Sequence, residues 1–360
     1  MCATEGQRSI LIWRHEPRSM KYSVIIPLFN RPEEIDELLD SLTRQTIRDF
    51  EVLVIEDGSS EKAESIVTGY ADRLNVHYHY KENGRQGFAR NYGFERASGD
   101  WMIVFDSDCI IPPQYFEEVE AFLANHPEID VFGGPDAASP DFSPWQKAIS
   151  YAMTSPLTTG GIRGGKNTVG TFHPRSFNMG ISRRAWEVSQ GYRISVKGED
   201  IEFSLRLMEH GMKSALIPGA FVFHKRRTSF KQFSSQVEFF GRARINIQKF
   251  YPSELKLLHW LPVGFYVYTR LAVLGFAALL LLSQTAWAWA CIAPIALWKV
   301  GMWLHAFAVT QNFRIATLAV LAGFVQLSGY GKGLLNEYLV VNVFKRRDST
   351  IGEIRDVPLP

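Results

Sequence analysis

Asp106-Ser107-Asp108 follows directly on five apolar residues, Trp101-Met102-Ile103-Val104-Phe105. Two carboxylates one residue apart repel each other unless a cation lies between them. At the end of a buried strand such a pair suits Mg²⁺ or Mn²⁺, hard ions that take few protein oxygens and leave positions for water and a diphosphate. If the strand continues through the pair, alternation puts Asp106 and Asp108 on one side of the chain. Three further groups could do chemistry. Asp57 closes the apolar run FEVLVIE (50–56). Glu199 and Asp200 open the helical pattern in VKGEDIEFSLRL (196–207), with Ile201, Leu205 and Met208 as its expected apolar face. A carboxylate there could take a proton from a hydroxyl nucleophile, and the plainer reading is an acidic pair that suits a helix N-terminus. His224 ends the run ALIPGAFVFHKRRTSF (215–230). Its imidazole could bind a metal, and Arg226 and its neighbours could hold phosphate oxygens or anionic lipid.

The elements that must position these residues alternate between strand and helix. YSVIIPLF (22–29) reads as a buried parallel strand. Pro32, Glu33 and Glu34 then mark a helix start, with Ile35, Leu38, Leu39 and Leu42 along one face. The second strand, 50–56, precedes an expected helix over 61–74. A third strand, NVHYHY (75–80), leads through KENGRQG into a helix ending near Ala97. The fourth strand is the opening stretch. This order predicts an open, twisted α/β sheet flanked by helices, with ligands outside the carboxyl ends of the strands. Those ends are Pro27 to Asn30, Asp57, and Asp106 to Asp108. No glycine follows the first strand, which argues against dinucleotide binding, and GGIRGGKN (160–167) fails the phosphate-loop pattern at Asn167. We read that segment as a loop over the site.

The 360 residues carry a formal net charge of +2, unevenly laid out: most acids precede position 210 and basic clusters follow it. Cys2, Cys109 and Cys291 form neither a disulfide framework nor a zinc pattern. From about residue 260 the chain turns apolar. Residues 263–282 carry Arg270 as their one charge, and 287–309 have tryptophans towards both ends. They form an expected membrane hairpin. A third stretch, 315–335, is weakened by Gln326, Lys332 and three glycines; it either spans or lies half-inserted. Basic residues on both sides favour two crossings and a catalytic part in the cytoplasm. Residues 1–19 show no secretory signal and are expected to be a poorly ordered extension.

SVIIPLFNRPEEIDELLDSL, FEVLVIEDGSS, GRQGFARNYGFERASGDWMIVFDSD and GEDIEFSLRL, in this order over about 22–210, resemble the successive signatures of family 2 glycosyltransferases with the GT-A fold. The resemblance implies an inverting, metal-dependent transferase that uses a nucleotide diphosphate sugar, with a UDP-sugar favoured, and a lipid-linked or cell-surface glycan acceptor. It implies that Pro27, Asn30 and Asp57 line the nucleotide pocket with Arg90 and Arg226 beside them. Asp106 and Asp108 would handle metal and diphosphate, and His224 would be a third metal ligand. Asp200 would be the base with Glu199 beside it, and Asn178 in FNMGIS (177–182) would face the sugar. The processive members' Q-x-x-R-W motif is missing from QVEFFGRARIN (236–246), so polymer translocation is not expected. The expected organisation is an extension (1–19), a catalytic domain (20–228), an amphipathic interfacial segment (229–260), membrane helices (261–345) and a basic tail (346–360). Membrane lipid is an expected partner and nucleic acid is not. The competing readings are a catalytically silent sugar-nucleotide binder on a membrane anchor, and a glycoside hydrolase.

Overall fold

The computed structural model describes residues 21–137, 141–159, 172–345 and 352–360. The expected extension, the glycine-rich loop 160–167 and the basic residues Arg346 and Arg347 lie outside them. The catalytic half begins β1 (Tyr22–Leu28), α1 (Pro32–Leu42), β2 (Phe50–Asp57), α2 (Glu64–Thr68), β3 (Asn75–Lys81), α3 (Arg85–Phe94), β4 (Trp101–Phe105), β5 (Cys109–Ile110) and α4 (Tyr115–Asn125). It continues with β6 (Val131–Gly133), β7 (Asp136–Ala137), α5 (Pro144–Thr154), α6 (Pro156–Thr159), β8 (Asn178–Ser182), α7 (Arg183–Ser189), α8 (Glu199–Glu209), β9 (Ser214–Leu216) and β10 (Val222–His224).

Seven strands form one mixed sheet in the order β3-β2-β1-β4-β8-β6-β9. Its first four strands are parallel, as the alternation with helices requires, and β8 runs antiparallel between β4 and β6. Both faces are covered, which is why these strands read as unbroken apolar runs. Val24 and Ile26 join the core on one face, with Leu38 of α1 and Phe116 of α4. Ile25 joins the other, with Phe94 of α3 and Phe203 of α8. Each such side chain contributes about 1.5–3 kcal/mol on burial.

A second sheet, β5-β10-β7, is small but decides the site. Antiparallel pairing of β10 with β5 sets His224 opposite Cys109 and so beside Asp108.

Three sequence expectations need correction. Helix 61–74 shrinks to Glu64–Thr68 with Gly69 at its C-cap, followed by turns. The run 215–224 is two strands in different sheets, broken at Pro218, which has no N–H to give a ladder. The buried face of α8 is Glu199, Glu202, Phe203, Ser204, Arg206 and Leu207; of the expected residues Met208 packs partly buried against the core, while Ile201 and Leu205 are half-buried outside it. Arg206 and Glu202 are tolerated there because they pair at 2.8 Å and Arg206 also donates to the Ser189 and Gly191 carbonyls.

The C-terminal half is helical: α9 (Phe230–Phe250), α10 (Leu261–Leu281), α11 (Thr285–Thr310) and α12 (Phe313–Tyr338). Among the described residues three stretches are long and apolar enough to cross a membrane: Leu257–Leu281, Thr285–Thr310 and Phe313–Val343. The third differs from the others. Half of its most apolar window is buried against protein, compared with 17% and 11% for the first two. The glycines that weaken its hydropathy explain this. A Cβ on Gly333 would lie 2.1 Å from the Glu238 carbonyl oxygen, and one on Gly331 would lie 2.2 Å from the Pro262 carbonyl oxygen. Small residues thus let α12 press against α9 and the start of α10. The expected interfacial helix α9 accordingly turns Phe233 and Val237 onto α12.

Candidate active site

The carboxyl ends of β1, β2 and β4 open on one side of the sheet, and the candidate residues gather there. Asp57, 3% exposed at the end of β2, accepts from Lys81 Nζ at 2.7 Å and from the Gly84 amide at 2.9 Å. Asn30 follows β1 with φ of +51°, and its Oδ1 accepts from the Ser60 and Glu61 amides at 2.8 and 3.2 Å. It therefore ties the β1 end to the β2 end, next to the half-buried Pro27.

β4 stops at Phe105, one residue short of the pair, so alternation along a strand does not place Asp106 and Asp108. A turn does, with the Cys109 amide donating to the Asp106 carbonyl at 3.1 Å. Asp106 Oδ1 accepts from Arg90 Nη2 at 2.9 Å, and a third of the Asp106 side chain stays exposed. Asp108 Oδ2 accepts from Arg31 Nη1 at 2.6 Å, and its Oδ1 lies 3.0 Å from His224 Nε2. Burial alone would raise the Asp108 pKa; His224 and Arg31 outweigh it and hold the carboxyl well below the usual carboxylate range. Burial alone would lower His224, and Asp108 reverses this, so the imidazole sits above its ordinary value.

This corner fits a divalent ion. Asp108 Oδ1 and His224 Nδ1 are buried without a hydrogen-bond partner among the described residues. Asp108 Oδ1 and His224 Nε2 lie 3.0 Å apart, close enough to serve one centre. Cys109 Sγ belongs to the same cluster, within 4.8 Å. Its thiol is a poor ligand for a hard ion: burial pushes its pKa well up, and Sγ faces the Phe177 carbonyl.

The acidic pair sits across Arg90. Glu199 is 3% exposed, and its carboxylate accepts from Arg90 Nη1 at 3.1 Å, from Gln86 and from the Gly198 amide. Burial, and then repulsion from Asp200, raise its pKa. Asp200 is more open, at 18% side-chain exposure, with Oδ2 3.2 Å from Arg175 Nη1. Of the two, Asp200 has the geometry to meet a diffusing hydroxyl.

Two expected residues are directed elsewhere. Arg226 pairs with Asp136 and is 7% exposed, so its guanidinium is not presented to a phosphate. Arg31 and the more exposed Arg227, 4.0 Å from Asp108, stand at the carboxylate pair instead. Asn178 is fully buried: Tyr115 donates to its Oδ1 at 2.6 Å and its Nδ2 donates to the Ala220 carbonyl at 2.8 Å. It stitches β8 to its neighbours and presents no group to a sugar. Sequence reasoning missed Arg31, Lys81, Gln86 and Arg175. Arg31 carried a signal, as a cation in the loop that closes β1. Arg175 carried none, because its pairing with Asp200 is a product of tertiary folding.

Comparison with known proteins bears on this geometry. Residues 23–187 match the family described as Glycosyl transferase family 2. The validoxylamine A glucosyltransferase of Streptomyces hygroscopicus subsp. jinggangensis is 39% identical over 108 residues, 29% of this chain and 25% of that protein. The poly(ribitol-phosphate) beta-N-acetylglucosaminyltransferase TarS of Staphylococcus aureus is 35% identical over 111 residues, 30% of this chain and 19% of TarS. The matched segment thus spans a quarter or less of either relative. The solved structure of the mannosyltransferase PcManGT from Pyrobaculum calidifontis, in complex with GDP-Man and Mn²⁺, superimposes with a TM-score of 0.56 at 17% identity, covering 88% of each chain. That likeness establishes the shared GT-A fold.

Proposed function

We propose that the chain, whose residues 23–187 match glycosyl transferase family 2, moves a sugar from a nucleotide diphosphate sugar to an acceptor hydroxyl at a membrane surface, with inversion. One observation carries the reading. The Asp106/Asp108 pair, His224 and the Glu199/Asp200 pair come from three separate parts of the chain, the turn after β4, β10 and the start of α8; Asp108 lies against His224, Arg90 of α3 joins Asp106 to Glu199, and Asp57 closes the neighbouring strand β2. Solvated turn acids have no reason to converge in this way.

In this reading Asn30, Asp57 and Pro27 receive the nucleoside, with a UDP-sugar as the favoured donor. Asp108 and His224 would hold Mn²⁺ or Mg²⁺, with Asp106 turning from Arg90 to join them, and the ion would neutralise charge developing on the leaving diphosphate. Arg31 and Arg227 stand beside that position and can hold phosphate oxygens. Asp200 takes the proton of the acceptor hydroxyl as its oxygen attacks the anomeric carbon from the face opposite the diphosphate. A single displacement inverts that carbon. Glu199 stays pinned by Arg90, Gln86 and the Gly198 amide and fixes the start of α8.

The acceptor is lipid-linked or a cell-surface glycan precursor in this reading, because the helices hold the site at a bilayer. The topology is two crossings, with the catalytic domain on the cytoplasmic face. The chain leaves that domain for α10, and residues 353–355 are bonded to it again, which supports an even number of crossings. We assign them to α10 and α11. The contacts of α12 with this hairpin fall on Pro262 and Phe265 in the first turns of α10 and on Met302 and Trp303 near the end of α11. That pattern supports a helix lying at the base of the hairpin.

The test is binding and turnover of UDP-, GDP- and dTDP-sugars by the detergent-purified chain, with and without Mn²⁺. Metal-dependent release of one nucleotide is the expected result. A folded chain that binds none of them refutes the reading and leaves a silent scaffold.

A further inference from the structure

The chain beyond α12 comes back to the segment that leads into the acidic pair. Ile354 forms an antiparallel bridge with Ile194. The Ser195 amide donates to the Glu353 carbonyl at 3.1 Å and the Arg355 amide to the Arg193 carbonyl at 2.8 Å. The Glu353 amide donates to Ser195 Oγ at 3.0 Å, and Arg355 Nη1 reaches Glu95 Oε1 at 3.1 Å. The far side of the same segment is tied to α3, where the Gly87 amide donates to the Ser195 carbonyl at 2.9 Å. A Cβ at Gly87 would lie 2.5 Å from the Ile194 carbonyl oxygen, so glycine is required for that approach.

Ser195 is fully buried and all three of its polar groups are engaged, two by the tail and one by the helix that carries Gln86 and Arg90. Directly after it the backbone turns through two left-handed residues, Lys197 at φ +66° and Gly198 at φ +95°, before Glu199. A lysine held there costs about 1–2 kcal/mol, and such conformations persist only where surrounding structure over-determines them. The tail supplies the support on the Ser195 side, and α9 supplies the rest, with Asn246 Nδ2 donating to the Lys197 carbonyl at 3.4 Å.

We propose that residues 352–355 form a positioning strap that, through Ser195, fixes the turn delivering Glu199 and Asp200 to the site. This rests on the transferase reading for its effect on rate. The strap touches neither the strand ends at Asn30 and Asp57 nor the metal corner, so its loss should leave donor binding intact and lower turnover. Misplacing a catalytic group by about 1 Å costs on the order of 100-fold, and the expected fall in kcat is about 10- to 100-fold.

The experiment compares the full chain with one ending at Gly352, and with Ser195→Ala and Arg355→Ala in the full chain. Hydrogen exchange is followed across 193–200, donor affinity by calorimetry with Mn²⁺, and transfer by steady-state kinetics. The expected result is lost protection confined to that segment, a lower kcat and a donor affinity within about twofold. The peptide GEIRDVPLP added in trans should restore kcat. Unchanged protection and kcat would overturn the proposal, and so would donor affinity falling in step with kcat. If the truncated chain does not fold, the two point variants decide on the same criteria. If the intact chain binds no nucleotide sugar, the transferase reading fails while the exchange measurement still decides the strap.

Discussion

Asp200→Asn separates chemistry from binding in this site. Asp200 Oδ1 accepts from the Ile201 amide at 2.9 Å and Oδ2 faces Arg175 Nη1 at 3.2 Å. Asparagine keeps the volume and one of these acceptors and loses the charge. The ion pair is partly open, with 31% of the Arg175 side chain and 18% of the Asp200 side chain exposed, so screening limits its worth to about 0–1 kcal/mol. Loss of a positioned base costs about 10²–10⁴ in rate, or roughly 3–5 kcal/mol in the barrier. The catalytic cost exceeds the structural cost several-fold. The variant should therefore fold, bind donor and Mn²⁺ with unchanged affinity, and fail in transfer. Glu199→Gln should behave differently, because removing that buried charge leaves Arg90 with a single anionic partner; the melting temperature should fall. The assay is transfer at saturating donor alongside calorimetric donor titration. An Asp200→Asn chain retaining more than about a tenth of wild-type kcat would refute the assignment.

Other consequences follow from particular contacts. Asp108→Ala should abolish the Mn²⁺ dependence of donor binding in calorimetry; an unchanged dependence removes Asp108 from the metal site. Arg206→Met leaves Glu202 buried and unpaired at 0% exposure and should destabilise by about 3–5 kcal/mol, with much of the loss recovered on adding Glu202→Leu, read as melting temperature in detergent. Glu51 accepts from Ser23 Oγ and the Ser98 amide, each at 2.6 Å. Burial opposes its ionisation but these bonds outweigh it and depress its pKa. Its contribution, about 1.5–3 kcal/mol, is present above the ordinary glutamate pKa and lost as pH falls through the depressed one. Glu51→Gln should accordingly flatten the stability-versus-pH curve below about pH 4; a curve that keeps its full acid limb counts against this account. Cys109, buried and with its thiol pKa raised, should resist maleimide at neutral pH until the chain unfolds.

The parallel half of the sheet was legible because both of its faces are covered, so Val24-Ile25-Ile26 and Val52-Leu53-Val54 appear as plain apolar runs. Asp57, Asp106 and Asp108 were legible for the same reason, as polar residues standing where such runs end. What local pattern could not supply was the second partner of each group. Arg226 looked like a phosphate ligand because its partner Asp136 lies 90 residues away on a two-residue strand. Asn178 was expected to face the sugar through the family resemblance alone, and local pattern gave no sign that β8 lies between β4 and β6. The face of α8 was misread because the period locates a stripe but gives no warning that a buried Glu202–Arg206 pair can replace apolar residues within it. The glycines of α12 weakened its hydropathy, and their use in close packing against α9 and α10 appears only once those helices are in place.

Arg90 gives the site its unity. Its side chain is 3% exposed, and its two terminal nitrogens go to carboxylates from different parts of the chain, Asp106 beyond β4 and Glu199 at the start of α8. A buried guanidinium without counter-ions costs several kcal/mol; here two anions offset that cost, and each needs the cation in return. The metal corner and the acidic pair are therefore coupled through one residue. A cation that drew Asp106 toward Asp108 would weaken its hold on Arg90 and leave Glu199 as the main partner. Planar, two-handed geometry suits this sharing; the three donors of a lysine all radiate from one nitrogen, without a second nitrogen set apart in a fixed fork. Arg90 thus ties Asp106 to Glu199 by charge, while Ser195 and the returning tail tie the same helix to the acidic turn by backbone bonds. The two linkages converge on α3, which makes that ten-residue helix the element on which the relative placement of the two halves depends.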